Sequence, residues 1–229
     1  MTLTAQAPRQ LDILDDEAGF HGDLHILKLV DYLMGYAEAF IETGTYMAQT
    51  ATYVARNYPE IPLFTCEPDP KRYADVRAKL VGYPQARAYN QFSPEFLQQS
   101  HTAHPELCQQ TNLYWLDAHG FGFDNWPLRQ EVEFITRNVS NALILIDDFR
   151  VPERPEFAFD AYKGQACALE YIADSMHTGR TYYVIYPTYR EKTSKVHGLR
   201  GVGLILYDVP GFYWPDQFLN CWQAFEMKK

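Results

Sequence analysis

The chain has 229 residues, of which 47% are hydrophobic, 15% aromatic and 21% charged, a composition that predicts a globular protein with a sizeable core and excludes collagen-like, low-complexity and disordered classes. Twenty basic side chains face 29 acidic ones, and the resulting net charge of −9 repels a phosphate backbone, so nucleic acid is not an expected partner. The aliphatic run from Ala142 to Ile146 is far too short to cross a bilayer, and Met1 to Gln10 has no basic stretch followed by an apolar one. Four scattered cysteines, Cys66, Cys108, Cys167 and Cys221, form no CxxC pair. Together these features predict a soluble, cytoplasmic protein with reduced thiols and no membrane partner.

In chain order, the first predicted element is a helix over Leu24–Tyr36, apolar at helical spacing through Leu24, Leu27, Val30 and Leu33. Short apolar runs bounded by turn or polar residues then predict strands at Ala39–Glu42, Leu63–Glu67, Ala86–Tyr89, Asn112–Asp117, Ala142–Asp147, Tyr182–Tyr186 and Gly203–Tyr207. Between them, Met47–Asn57, Pro70–Leu80, Pro94–Gln99, Pro127–Asn138 and Gln165–Met176 read as helices, several beginning at a proline whose missing N–H costs nothing there. Strands alternating with helices are the signature of an α/β fold with a mostly parallel sheet. No repeat or flexible linker divides the chain, so residues 1–229 are expected to form one domain, with an N-terminal helical segment at about 1–37 and an aromatic tail at about 210–229. The tail is expected to pack, covering a sheet edge or making a dimer contact.

The first predicted strand ends in Glu42, followed by Gly44 in a tight turn and then a helix, an arrangement that lets a ligand approach backbone N–H groups at a helix start. Twenty-three residues after Gly44, Glu67 closes the second strand, close to the spacing at which an acidic side chain receives ribose hydroxyls. The segment Glu42-Thr-Gly-Thr-x-x-Ala, the acidic end of strand two and the Asp-bearing ends of later strands resemble the class I S-adenosylmethionine (SAM)-dependent methyltransferases over about residues 40–206. That resemblance implies a Rossmann-like three-layer sandwich, with helices on both faces of a seven-stranded, mostly parallel sheet whose last strand is inserted antiparallel. Tyr46 and Ala48 stand where the family carries further glycines, and the G-x-G-x-x-G of nicotinamide enzymes is absent. The resemblance sets the cofactor, with S-adenosylhomocysteine (SAH) as its product, against Glu42, Thr43, Gly44, Thr45, Gln49, Thr50, Glu67, Pro68, Asn90, Phe92, Ser93 and Asp117. For Asn90 and Ser93, a turn and a helix cap before Pro94 are an equal alternative.

Two buried-looking strands end abruptly in carboxylates, at Leu-Tyr-Trp-Leu-Asp117-Ala-His119 and Leu-Ile-Leu-Ile-Asp147-Asp148. This pattern is similar to the metal-dependent, catechol-type O-methyltransferases, and the similarity implies Asp117, Asp147 and Asp148 as ligands of Mg²⁺ or another divalent cation. Three converging carboxylates raise one another's pKa unless a cation or a donor neutralises them. Where that family has a lysine base, this chain has Gly120, so His119 is the substitute candidate for the base, with Asp117 beside it. Phe157–Gln165 and the loop from Tyr189 to Gly201, with Lys192, Lys195, His197 and Arg200, are the expected walls of a substrate cleft. His21 and His25 stand four apart but, with Gly22 between them, do not by themselves make a metal site. The leading expectation is methylation of a small-molecule hydroxyl of natural-product or sugar type. Its rivals are a metal-free O- or N-methyltransferase and a non-catalytic nucleotide- or sugar-binding module; a homodimer is the default assembly.

Overall fold

The computed structural model describes residues 19–119, 126–194 and 197–229. The expectations for Met1–Gln10, Gly120 and Lys195 lie outside the described residues.

Five strands run parallel: β1 (Ala39–Thr43), β2 (Leu63–Cys66), β3 (Ala86–Tyr89), β4 (Asn112–Leu116) and β5 (Ala142–Ile146). Their crossovers are built by α1 (Leu24–Met34) ahead of β1, then α2 (Gln49–Asn57), α3 (Pro70–Leu80), α4 (Ser93–Ala103) and α5 (Leu128–Asn138). After β5 come a two-residue hairpin, β6 (Ala161–Tyr162) with β7 (Gln165–Ala166), a single-turn helix α6 (Leu169–Ile172), and strands β8 (Thr181–Pro187), β9 (Gly203–Tyr207) and β10 (Trp222–Lys228). The sheet order is β10-β8-β9-β5-β4-β1-β2-β3, with β9 antiparallel between β5 and β8. This is the mostly parallel, helix-flanked α/β sheet anticipated, with one correction: eight strands instead of seven. The eighth, β10, pairs antiparallel with β8 along all seven residues. Only Trp222 of it is fully buried, so a strand exposed on both faces leaves no hydrophobic alternation to read.

Every residue of β1, β4, β5 and β9 is buried, which is why these strands read as continuous apolar runs. A second correction concerns Gln165–Met176, expected as one helix. The backbone of Cys167 is already committed on both sides, its N–H to Asp160 and its carbonyl to the Arg150 N–H, so the helix begins only at Leu169 and passes into a 3₁₀ turn at Ala173–Ser175. The tail packs on α1 through Tyr32 with Phe212 and Phe218, and on the residue pair just past it through Tyr36 with Phe212.

Candidate active site

The strand order reverses between β1 and β4, and in open α/β sheets the crevice beyond the carboxyl ends at such a point is where ligands bind. Gly44 closes β1 there with φ +82°, and a Cβ on it would overlap the Asp117 carbonyl at the end of β4. Glycine is required twice over, by conformation and by contact. The turn continues left-handed at Tyr46 and Ala48, so α2 starts at Gln49, two residues later than expected. Its N–H groups are not free: those of Gly44 and Thr45 donate to the Cys66 carbonyl, and that of Tyr46 to Glu67 Oε2 at 2.9 Å.

A cleft opens at this point, lined by Gly44, Tyr46, Cys66, Glu67, Pro68, Arg72, Ser93, Asp117, Ala118 and His119. Six residues of the anticipated set therefore share one cleft: Gly44, Glu67, Pro68, Ser93, Asp117 and His119. Glu67, 3% exposed, accepts the Tyr46 N–H on one oxygen and the Asp69 N–H on the other. Each carboxylate oxygen has a second lone pair, so the fixed carboxylate can still accept hydroxyls. Tyr46 and Arg72, which sequence reasoning passed over, meet over the Tyr46 ring at 4.9 Å and form one wall.

The remaining predicted cofactor residues turn elsewhere. Glu42 is buried and accepts the Thr65 hydroxyl, while Thr45 contacts Thr65. Thr50 accepts the Phe20 N–H, and Asn90 donates to the Glu67 and Pro68 carbonyls, tying the ends of β2 and β3 together. Phe92 occupies the N-cap of α4 without a side-chain cap bond, and Ser93 is the first helical residue, so neither caps as a turn reading would have it. Gln49 opens α2 outside the cleft lining. Glu131 is buried as well, close to the Thr43 and Ser93 hydroxyls. Burial pushes the carboxyls of Glu42 and Glu131 each up to about 7.

The acidic edge adjoins the cleft. Asp117 N–H continues the ladder to the Thr43 carbonyl and Asp147 N–H to the Leu116 carbonyl, so the two residues stand side by side past β4 and β5. His119 Nε2 lies 3.7 Å from Asp117 Oδ1 and is buried with no hydrogen-bond partner. Asp147, 1% exposed, meets His21 Nε2 at 2.9 and 2.7 Å from its two oxygens. Asp148 accepts Arg200 Nη1 at 2.7 Å. Lost hydration, then Asp147 and Asp148, push the Asp117 carboxyl well up, and burial and Asp147 raise Asp148. Burial would raise Asp147 as well, but His21 pulls it below the usual carboxylate range; burial would lower His21, and Asp147 overrides that to raise it.

His21 comes from outside the sheet. The turn Phe20–Gly22 precedes α1 with Phe20 and His21 both left-handed, and Phe20 is buried edge-on against Phe40, Tyr53 and Trp115. The Ser194 hydroxyl donates to the His21 carbonyl, and buried Asp23 accepts hydroxyls from Thr193 and Tyr189. His25 instead stacks on Tyr189, 4.0 Å between ring centres, so the two histidines part company. Of the anticipated metal ligands, the structure brings Asp147 and Asp148 together. Among the described residues, the donor atoms that gather within 4.8 Å of one another belong to His21, Asp147 and Asp148, and Asp117 is not in that group. A contact across 126 positions between the Asp147 pair partners leaves no local sequence signal.

No protein-family model and no curated protein matches the chain. Among solved structures, the O-methyltransferase from Bacillus cereus in complex with SAH is similar over 80% of this chain and 79% of that one, with a TM-score of 0.57 and 15% identity. TomG, an O-methyltransferase from Streptomyces achromogenes involved in tomaymycin synthesis and solved with SAM, is similar over 80% of this chain and 78% of that one, with a TM-score of 0.54 and 16% identity. At these identities the likeness establishes a shared fold. Among the described residues, no helix is long and apolar enough to cross a membrane.

Proposed function

We propose that the chain is a SAM-dependent O-methyltransferase that acts on a hydroxyl of a small molecule, of natural-product or sugar-intermediate type, with a divalent cation beside the acceptor. The observation that carries this reading is a cleft at the reversal of strand order with Glu67 at one side and Asp117 and His119 at the other, opening onto the acidic edge. The solved relatives of this fold that carry SAM or SAH support the cofactor's identity.

The cofactor supplies a sulfonium-bound methyl group, and a bound divalent cation would lower the acceptor's hydroxyl pKa. What the chain contributes is positioning. Glu67, held rigid by two backbone N–H groups, receives the ribose hydroxyls, while Gly44 permits close backbone approach. His119 Nε2, unpartnered and next to Asp117, takes the acceptor proton as the oxygen attacks the methyl carbon and the C–S electron pair stays on sulfur. Aligning these groups provides most of the acceleration. Four free cysteines support a cytoplasmic setting.

Titrating SAH into the protein by calorimetry tests the core of the reading: a binding isotherm that disappears in Glu67→Ala supports it, and no binding by the wild type refutes it. A metal-free transfer is the second reading. It is favoured by the pairing of Asp147 with His21 and of Asp148 with Arg200, which gives each carboxylate a protein cation. Full methyl transfer in EDTA would select it.

A further inference from the structure

We propose that His21 replaces the β4 carboxylate as a ligand, so that His21, Asp147 and Asp148 form a one-histidine, two-carboxylate centre for a first-row transition-metal dication such as Co²⁺ or Mn²⁺ in preference to Mg²⁺. The inference rests on the metal-assisted reading above and deepens it by assigning the ligands and the class of metal. Three observations carry it. The donor atoms of these residues lie within 4.8 Å of one another, a separation that one ion can span, and Asp117 stands outside the group. His21 is delivered by a dedicated construction: a buried aromatic anchor at Phe20, two left-handed residues, and the Ser194 hydroxyl holding the His21 carbonyl at 2.7 Å.

The third observation points to a bound group. His119 Nε2, shut off from solvent on a side chain only 12% exposed, has no hydrogen-bond partner, stands beside Asp117 and acts electrostatically on Asp147 and Asp148. A buried, unpartnered nitrogen at the strand ends that carry this cluster is satisfied when a ligand or its bound hydroxyl occupies the space. Arg200 then has a supporting role. It occupies one oxygen of Asp148 and leaves the other to the ion, fixing the carboxylate's orientation as outer-shell partners do. Imidazole among the donors favours first-row transition-metal dications over Mg²⁺, which prefers oxygen alone, with Mn²⁺ the weakest-binding of that series and the one whose spectrum reports its ligands.

The test uses the full chain with SAH present. Mn²⁺ is titrated while free Mn²⁺ is followed by electron paramagnetic resonance, and the bound ion is examined for ¹⁴N modulation by electron spin echo. The expected result is Mn²⁺ binding with imidazole ¹⁴N modulation, kept in His119→Ala and His197→Ala and lost in His21→Ala. His21→Ala also weakens Mn²⁺ binding about tenfold or more, the scale on which even outer-shell changes act, whereas Asp117→Asn changes it little. Bound Mn²⁺ without ¹⁴N modulation, or binding abolished by Asp117→Asn and untouched by His21→Ala, overturns the proposal in favour of three carboxylates. Absence of Mn²⁺ binding while SAH binds normally also overturns it and leaves the cofactor reading standing. Mn²⁺ bound with ¹⁴N modulation but no SAH binding supports this centre and refutes the cofactor reading. The wild-type spectrum needs no variant, and SAH affinity reports whether His21→Ala has folded.

Discussion

Gly44 concentrates the most consequence in the fewest atoms. Its φ of +82° and the overlap any Cβ would make with the Asp117 carbonyl mean that Gly44→Ala meets both a backbone and a packing penalty. Strain of this kind costs of order 1–3 kcal/mol. We expect thermal denaturation to show that loss together with weakened SAH binding, because the same peptide forms the cleft wall. His119→Ala tests a different link. Removing a general base lowers rate by about 10²–10⁴-fold, so kcat is expected to fall by that order while SAH affinity measured by calorimetry stays within a few-fold; an unchanged kcat would remove His119 from the reaction. Glu67 and Asp117 were legible as candidates because each closes an apolar run at a strand end, and His119 because it stands next to the position where the resembled family carries its base. Glu42 and Thr45 looked equally eligible by sequence, yet their side chains turn to Thr65, since a turn's φ and ψ angles, not its residue order, decide which side chains face out.

At the scale of elements, the turn Phe20–Gly22 and strand β10 each carry one fully buried aromatic anchor. Phe20 touches Phe40, Tyr53 and Trp115, and truncating a buried Phe costs about 3–5 kcal/mol, so Phe20→Ala is expected to free the turn that carries His21. Proteolysis confined to the N-terminal segment, with the rest of the chain resistant, is the expected readout; wild-type resistance there would mean that the Ser194 and Asp23 contacts suffice. Trp222 is the only fully buried side chain of β10, and Trp222→Ala is expected to release that edge strand and accelerate amide exchange along β8, its partner. Parallel strands β1, β2, β4 and β5 were readable because burial on both faces makes them largely apolar runs. Strand β10 and the split of the expected Gln165–Met176 helix were not, because pairing with β8 and the backbone bonds of Cys167 are decided by partners far along the chain.

For the molecule as a whole, the two carboxyls buried under the cleft set a pH dependence. Glu42 and Glu131 keep their protons in the folded chain up to about 7, against 4.5 for the ordinary group. Between those values the unfolded chain holds fewer protons than the folded one, so stability from these two groups is full below pH 4.5, declines as pH rises to about 7 and is flat above it. At about 1.4 kcal/mol per pH unit, each group amounts to roughly 3 kcal/mol. Urea denaturation at pH 5 and pH 8 is expected to show a smaller difference for Glu131→Gln than for the wild type, with the variant gaining stability at pH 8. Equal differences would mean that Glu131 is ionised in the fold.

The sequence by itself determined the α/β class, the alternation of elements, the order of strand ends that carry Gly44, Glu67, Asp117, Asp147 and Asp148, and hence the edge at which the candidate site lies. These follow from local periodicity and from charges that terminate apolar runs, both written in neighbouring residues. Only the tertiary structure decided which carboxylates meet a cation. His21 reaches Asp147, Arg200 reaches Asp148, and Asp117 is left beside His119. Those pairings join positions that no local pattern connects, and they are selected by the cost of burying an unpaired charge once the sheet has brought the strand ends together.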